Sequence, residues 1–279
     1  MKRARDILAL QRPDGSWGQF HTMAIPTALP TANHPLATEQ ALRHLHILGF
    51  TAEDEAVQRA IAYMEYHLAQ PESVIFFEKK HDPKIFTDLM LSAWLRLFVP
   101  DHPGAMRVAK QWAAIIEAAF ADGSYNHERY AKSFAQQLGK TLNPKAGVFV
   151  NFVTFYQIAL LQGMLTPETE SAMLDYAISY PNGLGYICRT PLNQPPEEFS
   201  RKASHYLAAI ELIAGYALAP QKLGIAKDWL LQHQLPDGQW DFGPKANDGV
   251  YFPLCDSWRK AEDRRRDCTV RVTKLLKNL

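Results

Sequence analysis

Polar side chains that could do chemistry recur at one place in this sequence, the first turn of segments that are otherwise apolar. They are Glu39 beside Thr38, Asp88 beside Thr87, Asn151, His205 beside Ser204, and Asp267 beside Cys268. An unpaired polar group in apolar surroundings is costly, so the recurrence points to a shared use. If the segments stand side by side, these residues form a polar collar over an apolar pocket, the usual form of a small-molecule site. A buried carboxylate there can have its pKa raised and act as a general acid. Asp88, in the most apolar segment, is the first candidate acid and Asp267 the second; Glu39, Asn151 and His205 would bind ligand. The competing reading is that each carboxylate only stabilises its own helix through the dipole. His205, Asp267 and Cys268 are metal-ligand types, but we read His205 as a hydrogen-bonded core histidine and expect neither metal nor cofactor.

A second group follows the collar. Residues 251–260 are aromatic, carry Asp256, Trp258 and Arg259, and precede Arg264, Arg265 and Arg266. Such a loop could cap a cavity. Arginine forks pair with carboxylate or diphosphate. Glu262, Asp263 and Asp267 lie within helical reach of the run, which suits a surface ion pair for Arg264 and leaves Arg265 and Arg266 as anion-binding candidates. Trp94, Tyr156 and Tyr206, with Phe86, Phe152 and Phe155, are candidate cavity-wall aromatics, able to face a cation or to fill a core.

These residues need helices to position them. Apolar residues at 56, 57, 60, 61, 64 and 68 form one stripe, the mark of a helix packed on one side. Thr51 is its expected N-cap, with Asp54 three residues on. Segments 84–99, 146–163 and 199–217 are apolar nearly all round, as buried helices are. The pattern predicts inner helices at 36–49, 84–99, 146–163, 199–217 and 263–278. The outer helices are expected at 1–11, 52–69, 103–119, 166–179 and 220–234. Gly49, Gly163 and Gly215 would end inner helices. The fold class expected is all-α, an α/α toroid of five or six hairpins in one domain over 1–279, with helix 1–11 closing against 263–278. An open solenoid has the same local pattern.

A repeated motif supports this architecture. Gln11-Arg12-Pro13-Asp14-Gly15-Ser16-Trp17 returns as Gln234-Leu235-Pro236-Asp237-Gly238-Gln239-Trp240. Pro-Asp-Gly is a turn, and the flanking Gln and Trp can bond and stack across it. A motif repeated at a fixed structural place suggests a repeat fold. Asp122-Gly123 and Asn182-Gly183 are weaker echoes.

The Gln-x-x-x-Gly-x-Trp clip resembles the repeat of squalene–hopene-type terpenoid cyclases and of protein prenyltransferase β subunits, and Asn247-Asp248-Gly249-Val250-Tyr251-Phe252 is similar to a loop and helix start of the latter. The resemblance implies a toroid with an aromatic-lined central cavity and an apolar or isoprenoid-like ligand. The family's chemistry is not carried over. Asp-x-Asp-Asp and Asp-Asp-x-x-Asp do not occur. Val250 stands where a zinc-binding Cys would follow Asp248, and His205 lies upstream rather than downstream.

Composition bounds the rest. The 279 residues are 47% hydrophobic with net charge +1, which favours a sizeable core and gives no electrostatic case for nucleic acid. No run is long enough for a transmembrane helix, and no apolar stretch follows the basic N-terminus as in a signal peptide. Three cysteines, not in finger spacing, suit a reducing cytoplasm. The expected partner is an apolar small molecule. A carbohydrate-active toroid using Asp88 and Asp267, and a non-catalytic binding or scaffold protein, are the alternatives. The oligomeric state is open.

Overall fold

The computed structural model describes residues 2–21, 36–75, 82–145 and 147–279; Met1 and Ala146, which open two of the expected helices, lie outside them. Among the described residues the fold is all-α, with isolated bridges such as Thr154–Gly185 but no strand. In chain order the helices are α1 Lys2–Leu8, α2 Thr38–Ile47, α3 Glu55–Ala69, α4 Pro83–Phe98, α5 Pro103–Ala119, α6 His127–Leu138, α7 Gly147–Val150, α8 Phe155–Leu160, α9 Pro167–Ser179, α10 Arg201–Ile213, α11 Ala219–Lys222, α12 Gly224–Gln232 and α13 Ala261–Leu276. No helix among the described residues is long and apolar enough to cross a membrane.

Local chemistry starts the helices where it should. Asp82 accepts from the amides of Lys84 and Ile85, with Pro83 at the first position of α4. Thr166 accepts from Thr169, with Pro167 opening α9. The α3 start differs from expectation. Asp54, not Thr51, is the N-cap residue, and its carboxylate reaches back to the Thr51 amide at 2.7 Å.

Wrapped and striped helices both occur, but not in the full expected alternation: α13, expected to be wrapped, buries only Asp267, Cys268, Arg271, Val272 and Leu275. Every residue of α4 from Leu89 to Arg96 is buried, and so is all of α8. On α3 only Ala56, Val57, Ala60, Met64 and Leu68 are buried. Three elements depart from expectation. Helix α6 stands where a loop was expected. The helix expected over 146–163 is broken into α7 and α8, because Val153 and Phe155 bond Gly185 across the gap. The helix expected over 220–234 is broken into α11 and α12 at Leu223. Gly215 also differs in its reason. Its φ is not positive, but a Cβ there would lie 2.5 Å from Gln162 Nε2, which donates to Leu212 O.

One hydrophobic cluster runs from Ile7 to Leu275. Within it α4 packs on α3, α5 and α8, and α8 on α10. The two clips make the same bonds. Gln11 Nε2 donates to Gly15 O and Gln234 Nε2 to Gly238 O, both at 2.9 Å. The indoles of Trp17 and Trp240 donate to Ile7 O and Leu230 O, both at 2.7 Å. Their backbone amides donate to the hydroxyls of Thr38 and Thr269, tying each clip to α2 or α13.

Helix α1 meets the loop before α13. Arg3 of α1 donates to Pro253 O at 2.7 Å and Gly249 O at 2.6 Å, and its backbone amide bonds Asp256 at 3.0 Å.

Candidate functional site

A cavity of about 340 Å³ is lined by five helices and by loop residues that include Pro100, Ile187 and Tyr251. Arg43, His46 and Ile47 come from α2, and Trp94, Arg96 and Leu97 from α4. Phe155 of α8 and Gln162 just beyond it contribute a third side. Glu211 and Leu212 of α10 face Arg271, Lys274 and Leu275 of α13, and Tyr251 belongs to the loop before α13. The volume lies in the range of small-molecule pockets, about 300–1,000 Å³. One wall is aromatic: Arg43 lies 4.5 Å from the Phe155 ring centroid and within 6 Å of those of Trp94 and Tyr251.

Behind Arg43 and Trp94 lies a buried polar cluster centred on Glu39. Its carboxylate meets His21 Nδ1 at 2.6 Å, the Tyr156 hydroxyl at 3.0 Å, the Trp94 indole N–H at 3.3 Å and Arg43 at 3.3 Å. Burial alone would push the Glu39 carboxyl up. The His21 bond and charge, the Arg43 charge and the Tyr156 bond outweigh it and hold Glu39 below the usual carboxylate range. The raised pKa expected of a buried collar carboxylate is therefore not found at Glu39, which is an anchored anion rather than a general acid. Burial, then the Glu39 charge, pushes the Tyr156 phenol well above its ordinary value.

Two further clusters support the loop carrying Tyr251. Asp248 Oδ1 accepts from the amides of Val250, Tyr251 and Phe252, and Oδ2 accepts from Ser204 at 2.8 Å. Burial raises that carboxyl, and bonds from His205, the loop amides and Ser204 bring it net down. Arg43 donates to the Tyr251 hydroxyl and Arg271 to the Tyr251 carbonyl, so the loop is held between α2 and α13. Arg271 also forks onto Glu211, at 3.0 and 2.5 Å.

The five residues expected in first turns go to separate partners. Glu39 sits in the cluster just described. Asp88 pairs with Lys84 at 2.7 Å. Asn151 donates to the Tyr176 hydroxyl and accepts from Val153 N. His205 Nε2 lies 3.3 Å from Asp248 Oδ2. Asp267 accepts from the amides of Leu254 and Cys255 and from the Trp258 indole. None of the five lines the cavity. The reason is geometric: only Glu39 stands in the first turn of its helix, whereas Asp88, His205 and Asp267 are the sixth, fifth and seventh residues of α4, α10 and α13, and Asn151 lies between α7 and α8, so the five share no level.

Of the remaining candidates, Trp94 lines the cavity, and Tyr156 stands one layer behind it on Glu39. Tyr206 donates to Leu192 O at 3.0 Å and packs on Trp229. Trp258 packs on Phe252 with the rings tilted at 45°. Arg265 and Arg266 lie by Asp237 and Asp263 at 3.4 and 2.9 Å, and Arg264 forks onto Asp241. Among the described residues no group of three or more His, Cys, Asp or Glu could hold a metal ion.

Sequence reasoning missed Arg43, Arg96, Glu211, Arg271 and Lys274. Arg43 is one turn beyond Glu39, and Arg271 one turn beyond Asp267, so the signal lay in the second half of the same helices. No family model, curated protein or solved structure matches this chain.

Proposed function

We propose that the helices close into an α/α toroid of the terpenoid cyclase and prenyltransferase type, and that the protein binds an apolar or isoprenoid-like small molecule in its central cavity. The observation that carries this reading is the cavity itself, bounded by α2, α4, α8, α10 and α13, the helices expected to form the inner layer. Their contacts support closure. Trp94 of α4 bonds Glu39 of α2, α4 packs on α8, and α8 on α10. Arg271 of α13 forks onto Glu211 of α10, and Tyr251 bridges α13 back to α2. The matching bonds of the two clips support the repeat.

Binding rather than acid catalysis is the reading these residues favour. The cavity's one carboxylate among the described residues, Glu211, is committed to Arg271. The carbohydrate reading finds less support, since a glycosidase needs two free carboxylates across one site, and Asp88 and Asp267 are engaged elsewhere. The test is native mass spectrometry of freshly purified protein beside Leu212→Trp, which fills the cavity from a half-buried position. We expect a bound small molecule, lost in the variant while its melting temperature holds. No bound molecule, together with equal uptake of an apolar dye by both proteins, would refute the proposal.

A further inference from the structure

The cavity carries more positive charge than its own carboxylates can balance. Arg271 is matched by Glu211, and Arg43 by Glu39 at 3.3 Å. Arg96 is different. It is buried, and its Nε, Nη1 and Nη2 donate to the carbonyl oxygens of Pro100, Leu160 and Gln162, which hold the guanidinium without neutralising it. Lys274 lines the cavity and makes no hydrogen bond or ion pair among the described residues. Its charge is felt inside, because after burial it is the next cause holding His46 below its ordinary pKa. Lys274 thus has no ion pair and Arg96 only the charge of Asp101, which forms no ion pair with it, around a cavity whose other wall is Trp94, Phe155 and Leu97. Glu211 is the lining's one carboxylate among the described residues, against Arg43, Arg96, Arg271 and Lys274, and a net excess of one sign between low-dielectric walls concentrates the opposite sign.

We infer that the cavity takes an anionic amphiphile, a compound with an apolar body and one terminal carboxylate or phosphate. This rests on the cavity being a ligand site and adds the ligand's charge and polarity. The apolar body lies on the aromatic wall, where burial contributes about 25 cal/mol per Å². The head group lies toward Lys274, whose ammonium is an exposed point charge with free donors. Arg96, fixed by three carbonyls, adds a positive field that needs no rearrangement on binding.

The test is isothermal titration of the full chain with decanoate, decyl phosphate and decanol, at low and high salt. Both acids are expected to bind more tightly than decanol and to weaken with salt, as a charge-dependent site must. Lys274→Ala, at an exposed position that leaves the core intact, should weaken both acids about tenfold, the scale of one charged hydrogen bond, and leave decanol unchanged. The tighter of the two acids identifies the head group. Decanol binding as tightly as the acids, or Lys274→Ala leaving the acids unchanged, overturns the inference while the cavity reading stands. No binding of any of the three by a protein that melts cooperatively overturns both.

Discussion

Glu39 gathers donors from His21, Tyr156, Trp94 and Arg43 around one buried carboxylate. Removing one partner of a buried pair leaves the other charge uncompensated, at a cost of about 3–5 kcal/mol. Glu39→Gln keeps the shape but turns an amide NH₂ toward groups that donate, so we expect a loss near the lower end of that range by urea denaturation. A loss under about 1 kcal/mol would mean the cluster is solvated. His44 makes a separate prediction. His44 Nε2 lies 2.9 Å from Arg3 Nη2, which can only donate, and 3.2 Å from Gly249 O, which can only accept. Burial, then the Arg3 charge, lowers His44 from 6.5 to about 4. Between those values the unfolded chain binds a proton that the folded chain refuses, so stability falls as pH drops from about 6.5 to 4, by up to about 3 kcal/mol. His46, also lowered by burial, acts in the same sense. Glu39 and Asp248, held low, add their losses only at more acid pH, below the ordinary carboxylate range. His44→Gln should shrink the fall in melting temperature between pH 7 and pH 5; an unchanged fall would assign the acid sensitivity elsewhere.

At the scale of elements, the clips repeat their internal bonds but not their surroundings. The first is docked on α3: Gln11 donates to Ala56 O at 2.8 Å, and Arg59 donates to Gln11. Gly15 and Gly238 both have positive φ, +88° and +81°. A Cβ at Gly15 would lie 2.2 Å from Arg59 O, whereas one at Gly238 would meet nothing nearer than Gln234 at 3.8 Å. Gly238→Ala should cost about 1–2 kcal/mol, the left-handed penalty alone. Gly15→Ala adds a backbone clash and should cost clearly more in thermal melts. Equal costs would mean that α3 gives way. The clips were legible because turn chemistry is local. Helix α5 was legible to the residue, since Pro103 starts it and an apolar stripe runs through it. Helix α6 was not read, although Tyr130 and Phe134 sit one turn apart and Asn126 caps it; polar residues outweigh them, and the Asp122-Gly123 turn suggested a loop. The break between α7 and α8 depends on Gly185, distant in sequence, and no local pattern carries it. The cavity charges escaped for the same reason: Arg43 and Arg271 are one turn beyond Glu39 and Asp267, Arg96 is two turns beyond Asp88, and only packing decides which turn faces inward.

For the whole molecule, the decisive contacts join α1 to the loop before α13 and to α2. Arg3 is buried, donates to Gly249 O and Pro253 O and meets His44 Nε2, so a residue of α1 ties the loop before α13 to α2. Ile7 O receives the Trp17 indole, which seats the first clip. Deleting residues 1–11 would strip these bonds at once and expose apolar surface of α2. Lost bonds of this kind contribute about 1 kcal/mol each, and more for charged donors, so we expect a fall of several kcal/mol in a still cooperative transition. Hydrogen exchange distinguishes the architectures. In a closed ring the gap loosens both flanks, and amide exchange should rise in α2 and, far away in sequence, in residues 249–256 and α13. In an open array the missing end disturbs only its neighbour. Faster exchange confined to α2, with α13 as protected as in the full chain, would therefore refute closure and with it the central position of the cavity.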